Sequence, residues 1–187
     1  MTQENNNNQL YTISTFAENA VGVLNQVTAI YTRRNINIES ITASECSIPG
    51  VHKFTITSRS DRSTMEKVVR QIEKRIDVIK AFLYTDDDIV YQEVALYKVP
   101  TDRLLEEKHL EWIIRKHSAR ILEITPEYTV IEKTGHRDET ESLFESLKRY
   151  DIRQFARSGR VTITKDPIEY VTALLAEREC DNINDNQ

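Results

Sequence analysis

Phe16-Ala-Glu-Asn-Ala-Val-Gly-Val-Leu24 is the stretch whose reading decides the fold. Leu10 to Phe16, just before it, is short and β-prone, with Tyr11, Ile13 and Phe16 among threonines and serines. After it, a helix fits from about Val21 to Arg34: Leu24, Val27 and Tyr31 recur at i, i+3, i+7, and Val23 and Ile30 widen the stripe. Arg33 and Arg34 suit the negative end of the helix dipole. Asn35 fits a left-handed terminus. The quoted residues are therefore a strand-to-helix turn. Such a turn presents backbone N–H groups with no partner and a positive dipole end, a place for a small anion such as a carboxylate. The plainer reading makes Asn19 the helix cap and Gly22 a point of close packing. The sharper reading joins Asn19 and Gly22 to Asn37, whose side-chain amide both donates and accepts.

Working outward, Ile36 to about Cys46 alternates and reads as a strand, Ser47-Ile-Pro-Gly50 as a turn, and Val51 to Thr57 as a second strand of one hairpin. Asp61-Arg-Ser-Thr64 offers caps for a helix carrying Met65, Val68, Val69 and Ile72. Ile76 to Tyr84 is a fourth strand. The order strand, helix, strand, strand, helix, strand over 10–85 is the split βαβ, ferredoxin-like order. It predicts a four-stranded antiparallel sheet with both helices on one face. The other face needs a cover or a partner.

Asp86-Asp-Asp88 breaks the pattern and marks a boundary. Three adjacent carboxylates lack the alternate spacing of a calcium loop, so a solvated turn is the reading. The second half, 90–176, repeats the order. Val90 to Val99 is a strand, and Pro100-Thr-Asp102 opens a helix with Leu105, His109, Trp112 and Ile113 on one face. Arg120 to Ile124 and Tyr128 to Glu132 are strands, and Leu143, Phe144 and Leu147 mark a helix. Ile152 to Ala156 and Val161 to Thr164 are strands parted by Ser158-Gly159. A last helix follows Asp166-Pro167 with Ile168, Val171, Leu174 and Leu175 as its stripe. The reading is α+β: two ferredoxin-like βαββαβ modules between a disordered lead at 1–9 and a flexible tail at 177–187.

Composition sets exclusions. Of the 187 residues 29% are charged and 39% hydrophobic, which is a globular balance. The net charge of −5 disfavours a general nucleic-acid binder, and Phe54 lacks the aromatic company that base stacking on such a sheet needs. No apolar run is long enough for a membrane span. The polar N-terminus does not read as a signal peptide. Cys46 and Cys180 form no CxxC and fit reduced thiols in the cytoplasm, though their pairing stays open. His52, His109, His117 and His136 are scattered, and His109 and His117 on one helix stand about 12 Å apart along its axis. No HExxH, Walker A or GxSxG pattern occurs. Catalysis by this chain is not expected.

Beyond these readings, Phe16–Leu24 followed by Tyr31-Thr-Arg-Arg-Asn-Ile-Asn-Ile-Glu-Ser-Ile41 resembles an ACT domain, and more narrowly the small regulatory subunit of acetolactate synthase (acetohydroxyacid synthase). Ile72 to Tyr84 continues the resemblance. So do Glu93 to Val99, Ala119 to Pro126, Glu132-Lys-Thr-Gly135 and Phe155-Ala-Arg-Ser-Gly159, which are similar to that family's C-terminal domain. Coverage runs from about 10 to 175.

The resemblance implies a chain without cofactor or metal that binds the catalytic large subunit, itself a carrier of thiamine diphosphate, Mg²⁺ and FAD. It implies activation of that subunit in branched-chain amino acid biosynthesis and feedback inhibition by valine or a related amino acid. It implies an ACT homodimer with the effector at the interface, held by Asn19, Gly22, Val23 and Leu24 of one copy and Asn37 and Ile38 of the other. The chain departs from the common family pattern at Ala20, Val21 and Asn35-Ile36, which leaves the backbone donors intact and bears on effector choice. Arg157 and Arg160 stand as candidate contacts to the catalytic subunit, against a solvated turn. The alternative is a free-standing ACT-type amino-acid sensor for another enzyme.

Overall fold

The computed structural model describes residues 9–106, 110–168 and 171. The proposed lead, tail, His109, Cys180, Leu174 and Leu175 lie outside them, or nearly so for the lead, whose Gln9 is described. Contacts divide the chain into a first unit, 1–90 with 162–187, and a second, 91–161. The residues from Thr162 onward, read from the sequence as the end of the second module, group with the first unit.

The first unit runs β1 (Gln9–Glu18), α1 (Val23–Arg33), β2 (Ile38–Glu45), β3 (Val51–Ser60), α2 (Arg62–Ile72) and β4 (Val78–Tyr84). Its sheet has the order β2-β3-β1-β4 and is antiparallel throughout, which is the ferredoxin-like order. Register follows the period of two: Ile13 faces Ile56 and Leu83 across its neighbours. On the helix side Tyr11, Ile13, Ala17, Phe54, Ile56 and Ala81 meet Val23, Val27, Ile30, Tyr31, Met65, Val68 and Ile72 in one core. Each fully buried aliphatic side chain there contributes about 1.5–3 kcal/mol. Burial also pushes the Tyr31 hydroxyl well above the usual tyrosine range.

The helix ends follow local chemistry. The Asp61 carboxylate accepts from the N–H of Thr64 at 2.8 Å and starts α2; hydrogen bonding from the Thr64 side chain, then from its N–H, holds the Asp61 pKa below the usual carboxylate value. Asn35 takes the left-handed conformation, φ 53°, and Ile36 donates back to the Tyr31 carbonyl, closing α1. α1 starts two residues later than its apolar stripe suggests, because Val21 stands fully in solvent and the helix begins only after Gly22. β2 likewise starts at Ile38, leaving Asn37 one residue outside the strand.

After β4 the chain order repeats as β5 (Ile89–Pro100), α3 (Thr101–Glu106), α4 (Leu110–Lys116), β6 (Arg120–Ile124), β7 (Tyr128–Gly135), α5 (Arg137–Leu147) and β8 (Gln154–Arg157), followed by β9 (Val161–Thr164), whose residues from Thr162 group with the first unit. The sheet order is β6-β7-β5-β8, with β9 also on β5. β5 alternates buried and exposed along most of its length. Its buried side places Ala95, Tyr97 and Val99 against Ile113, Ile131, Leu143, Leu147 and Tyr150. Trp112, expected on the buried stripe, is exposed instead, and the Lys116 ammonium lies 4.9 Å from its ring centre. The overall fold is α+β, two ferredoxin-like modules each built on an antiparallel sheet.

Candidate functional site

The turn after β1 is pinned at both sides and free at its tip. A register shift falls between Phe16 and Ala17. Glu18 then donates from its N–H to the Asp77 carbonyl at 2.9 Å, and Asn19 to the Gly50 carbonyl at 3.0 Å. Ala20 donates back to the Glu18 carbonyl at 2.8 Å, which tightens the chain into a turn. Gly22 caps α1 with φ 89° and ψ −7° and no side-chain cap. Asn19 therefore does not cap the helix: it is spent three residues before the cap, on the backbone of Gly50. Close packing does not explain Gly22 either. A Cβ there would meet nothing within 4 Å, so what the position demands is its left-handed torsion.

This geometry leaves donors open. Among the described residues no group accepts from the N–H of Val21, Gly22, Leu24 or Asn25. These are the orphan donors of a first helical turn, aimed outward with the positive dipole end. Val23 is buried in the core and fixes the turn from below, whereas Leu24 is 39% exposed beside the open donors. The loop is thus a polar backbone cup with one apolar wall, suited to a carboxylate next to an aliphatic group.

Asn37 and Ile38 lie elsewhere. Ile38 faces Ser58 on β3, and Ser58 faces Tyr11 near the start of β1. The loop follows Glu18, which faces Val51. Ser58 and Val51 are seven steps apart along β3, about 24 Å at 3.4 Å per residue. One chain does not bring the two halves together. β2 is an edge strand, and Asn37 precedes it exposed, while Ile38 is half-buried against the core.

The other candidates are accounted for locally. Asp86–Asp88 forms a 3-10 turn in which the Asp88 carboxylate accepts from the Thr85 N–H and hydroxyl, both at 2.7 Å; these bonds hold its pKa below the usual carboxylate value. His117 Nε2 lies 3.1 Å from the Ser146 hydroxyl, and His136 stacks on Tyr91 at 4.3 Å. Among the described residues no group of three or more His, Cys, Asp or Glu is arranged to hold a metal ion, and no helix is long and apolar enough to cross a membrane.

Arg157 and Arg160 are not a solvated turn. Arg160 is 3% exposed, its guanidinium is 3.8 Å from the Tyr91 ring centre, and both arginines reach the buried Glu93 carboxylate, at 3.7 and 3.6 Å. Arg157 also pairs with Glu141 at 3.3 Å. Ser158 exchanges hydrogen bonds with Val94, so its turn is laced to β5. An inward network of this kind holds the second module together and withdraws both arginines from the surface. Sequence reasoning missed this network; the signal that could have found it is Glu93 in phase with Tyr91, Ala95 and Tyr97 along β5.

Comparisons with known proteins agree with this architecture. The AHAS small subunit-like ACT domain matches residues 13–80, and the family described as small subunit of acetolactate synthase matches residues 92–166. The acetolactate synthase small subunit of Mycobacterium bovis is 31% identical over 157 residues, covering 84% of this chain and 93% of that protein. That of Bacillus subtilis is 33% identical over 151 residues, covering 79% and 86%. The crystal structure of the acetolactate synthase small subunit from Thermotoga maritima superposes with a TM-score of 0.77 at 26% identity, covering 86% of this chain and 99% of that one. With a cup of open donors on an ACT fold, a second module of the same order, and relatives of this identity over nearly their whole length, the chain belongs to the acetolactate synthase small subunit family.

Proposed function

We propose that this chain, working in the cytoplasm, activates the thiamine-diphosphate-dependent catalytic subunit of acetolactate synthase and confers feedback inhibition by valine or a related branched-chain amino acid. The effector binds between the ACT domains of two copies. Its carboxylate sits on the open N–H groups around Gly22, its aliphatic side chain meets Leu24, and Asn37 and Ile38 of the other copy close the site. Asn19 shapes the loop through its backbone and Val23 anchors it.

One observation carries the reading. The loop and the Asn37–Ile38 corner lie at opposite ends of one sheet, yet β2 presents an edge by which a second sheet can bring them together. Effector then favours one arrangement of the pair, and the catalytic subunit favours the other. Such coupling is typically about 1–3 kcal/mol and reciprocal for binding. Gly22→Asp places a carboxylate where the effector's own must sit. In mixed subunits assayed with and without valine, the variant keeps activation and loses inhibition; unchanged inhibition overturns this site. Capture from lysate tests the partner: recovery of an enzyme without thiamine diphosphate would favour a free-standing sensor.

A further inference from the structure

The outer face of the first sheet, opposite α1 and α2, carries a contact that neither matched family region includes beyond residue 166. Val171 is 2% exposed and packs with Val51 and Ile79, and Phe16, Cys46, Ile48 and Phe82 pack around them. The same segment is tied down earlier. The Thr162 hydroxyl lies 3.4 Å from that of Ser14, and the Lys53 ammonium donates to the Thr162 carbonyl at 2.5 Å while standing 5.6 Å from the Phe16 ring centre. Lys165 donates from its N–H to the Asp88 carbonyl and from its ammonium to the Asp87 carbonyl, both at 2.9 Å.

The residues under Val171 are also the footings of the turn after β1. Val51 faces Glu18 in the β1–β3 ladder and follows Gly50, the acceptor for Asn19. Ile79 follows Val78, which faces Ala17, and Asp77 accepts from Glu18. A side chain wedged on Val51 and Ile79 thus limits the movement of both strands to which the loop is tied.

We propose that residues 162–168 together with Val171 strap the outer face of the ACT sheet, and that Val171 is a positioning residue for the effector loop. It rests on the proposed reading of that loop as half of the effector site. Removing the wedge frees the Gly50 and Asp77 footings, lets the turn open, and disperses the donors around Gly22 before effector arrives. The strap then contributes preorganisation, not a contact to the effector.

Hydrogen exchange on the full chain tests this without any effector. Val171→Ala removes two methyl groups, Val171→Asp sets a carboxylate among Val51, Ile79 and Phe82, and Val171→Ile keeps the wedge. Expected is exchange at least about fivefold faster in peptides covering 16–24 and 46–52 for the Ala and Asp variants, the lower bound of ordinary site coupling. The second unit stays unchanged, and Val171→Ile behaves as wild type. Wild-type exchange in those peptides, or an equal rise over the whole chain in Val171→Ala, overturns the strap. Valine inhibition of the mixed subunits is then read on the same variants. Equal inhibition in wild type and Val171→Ala overturns the role in loop positioning. No valine response in wild type, together with faster loop exchange in the variants, sinks the effector reading and leaves the strap standing.

Discussion

The two modules share one strand order and treat their outer sheet faces in opposite ways. In the first, that face buries small hydroxyls, Thr12, Ser14, Thr55 and Thr57, and an apolar cluster of Val51, Ile79 and Val171. In the second, Val94 and Leu96 remain exposed on that face. A hollow of about 270 Å³ lies there, lined by Leu96, Lys98, Glu123, Tyr128 and Val130. The modules also differ in what polar matter they bury: neutral hydroxyls on the first outer face, and the Glu93–Arg157–Arg160 network in the second. The same βαββαβ order therefore does not settle which sheet faces are finished by the chain itself. That depends on residues beyond the second unit, such as Val171.

The largest effect is expected where charge is buried. Glu93→Ala removes the buried carboxylate that both Arg157 and Arg160 reach and should cost about 3 kcal/mol by chemical denaturation, the lower range for breaking a buried pair. A loss below about 1 kcal/mol would mean that the network relaxes into solvent. Next comes the covered face of the first module. Ile79→Ala opens a cavity under Val171 and should cost about 2 kcal/mol, the lower range for a buried aliphatic truncation.

A smaller effect attaches to the loop. Gly22→Ala has room for its methyl group but must hold φ 89°, a strain of about 1 kcal/mol. Thermal unfolding reads that cost, and activation of the catalytic subunit should survive it. Smaller again is a pH effect in the second module. Burial, then repulsion from Lys116 and Lys133, holds the His117 pKa below 6.5 in the folded chain. The unfolded chain therefore takes up the proton first, and this stability contribution is present above about pH 6.5 and lost as pH falls toward the folded value. Urea midpoints at pH 7.5 and 5.5 should fall less for His117→Gln than for wild type; equal falls would remove His117 from the account. Smallest of all, Leu96→Lys on the open face of the second module should shift stability by no more than about 0.5 kcal/mol. A larger loss would show that this face is covered after all, and would erase the contrast between the modules.

Much of the fold was legible in the chain. The 3.6 and 2 periods of α1, α2, β3 and β5, the Asp61 cap and the left-handed Asn35 all follow from local chemistry, and local chemistry is what a sequence displays. The loop was legible as a strand-to-helix turn with open donors. Its details were not: Asn19 looked like a cap because capping residues often precede a helix, but its backbone is committed to Gly50, more than thirty residues away in sequence. Trp112 looked like core because it fits a helical stripe, yet it is exposed with the Lys116 ammonium over its ring, since a stripe shows spacing and not what packs against it.

By itself, then, the sequence determined element type, strand order and the placing of a polar turn with Gly22 at its centre, because propensity, periodicity and backbone torsion act over a few residues. Only the tertiary structure decided that Gly22 is there for its torsion, that Arg157 and Arg160 turn inward to Glu93, that the loop and Asn37 lie at opposite ends of one sheet, and that Val171 returns to close a face of the first module. Those outcomes depend on groups far apart along the chain meeting in space, where burial and unpaired charge set the free energy and sequence distance carries no information about either.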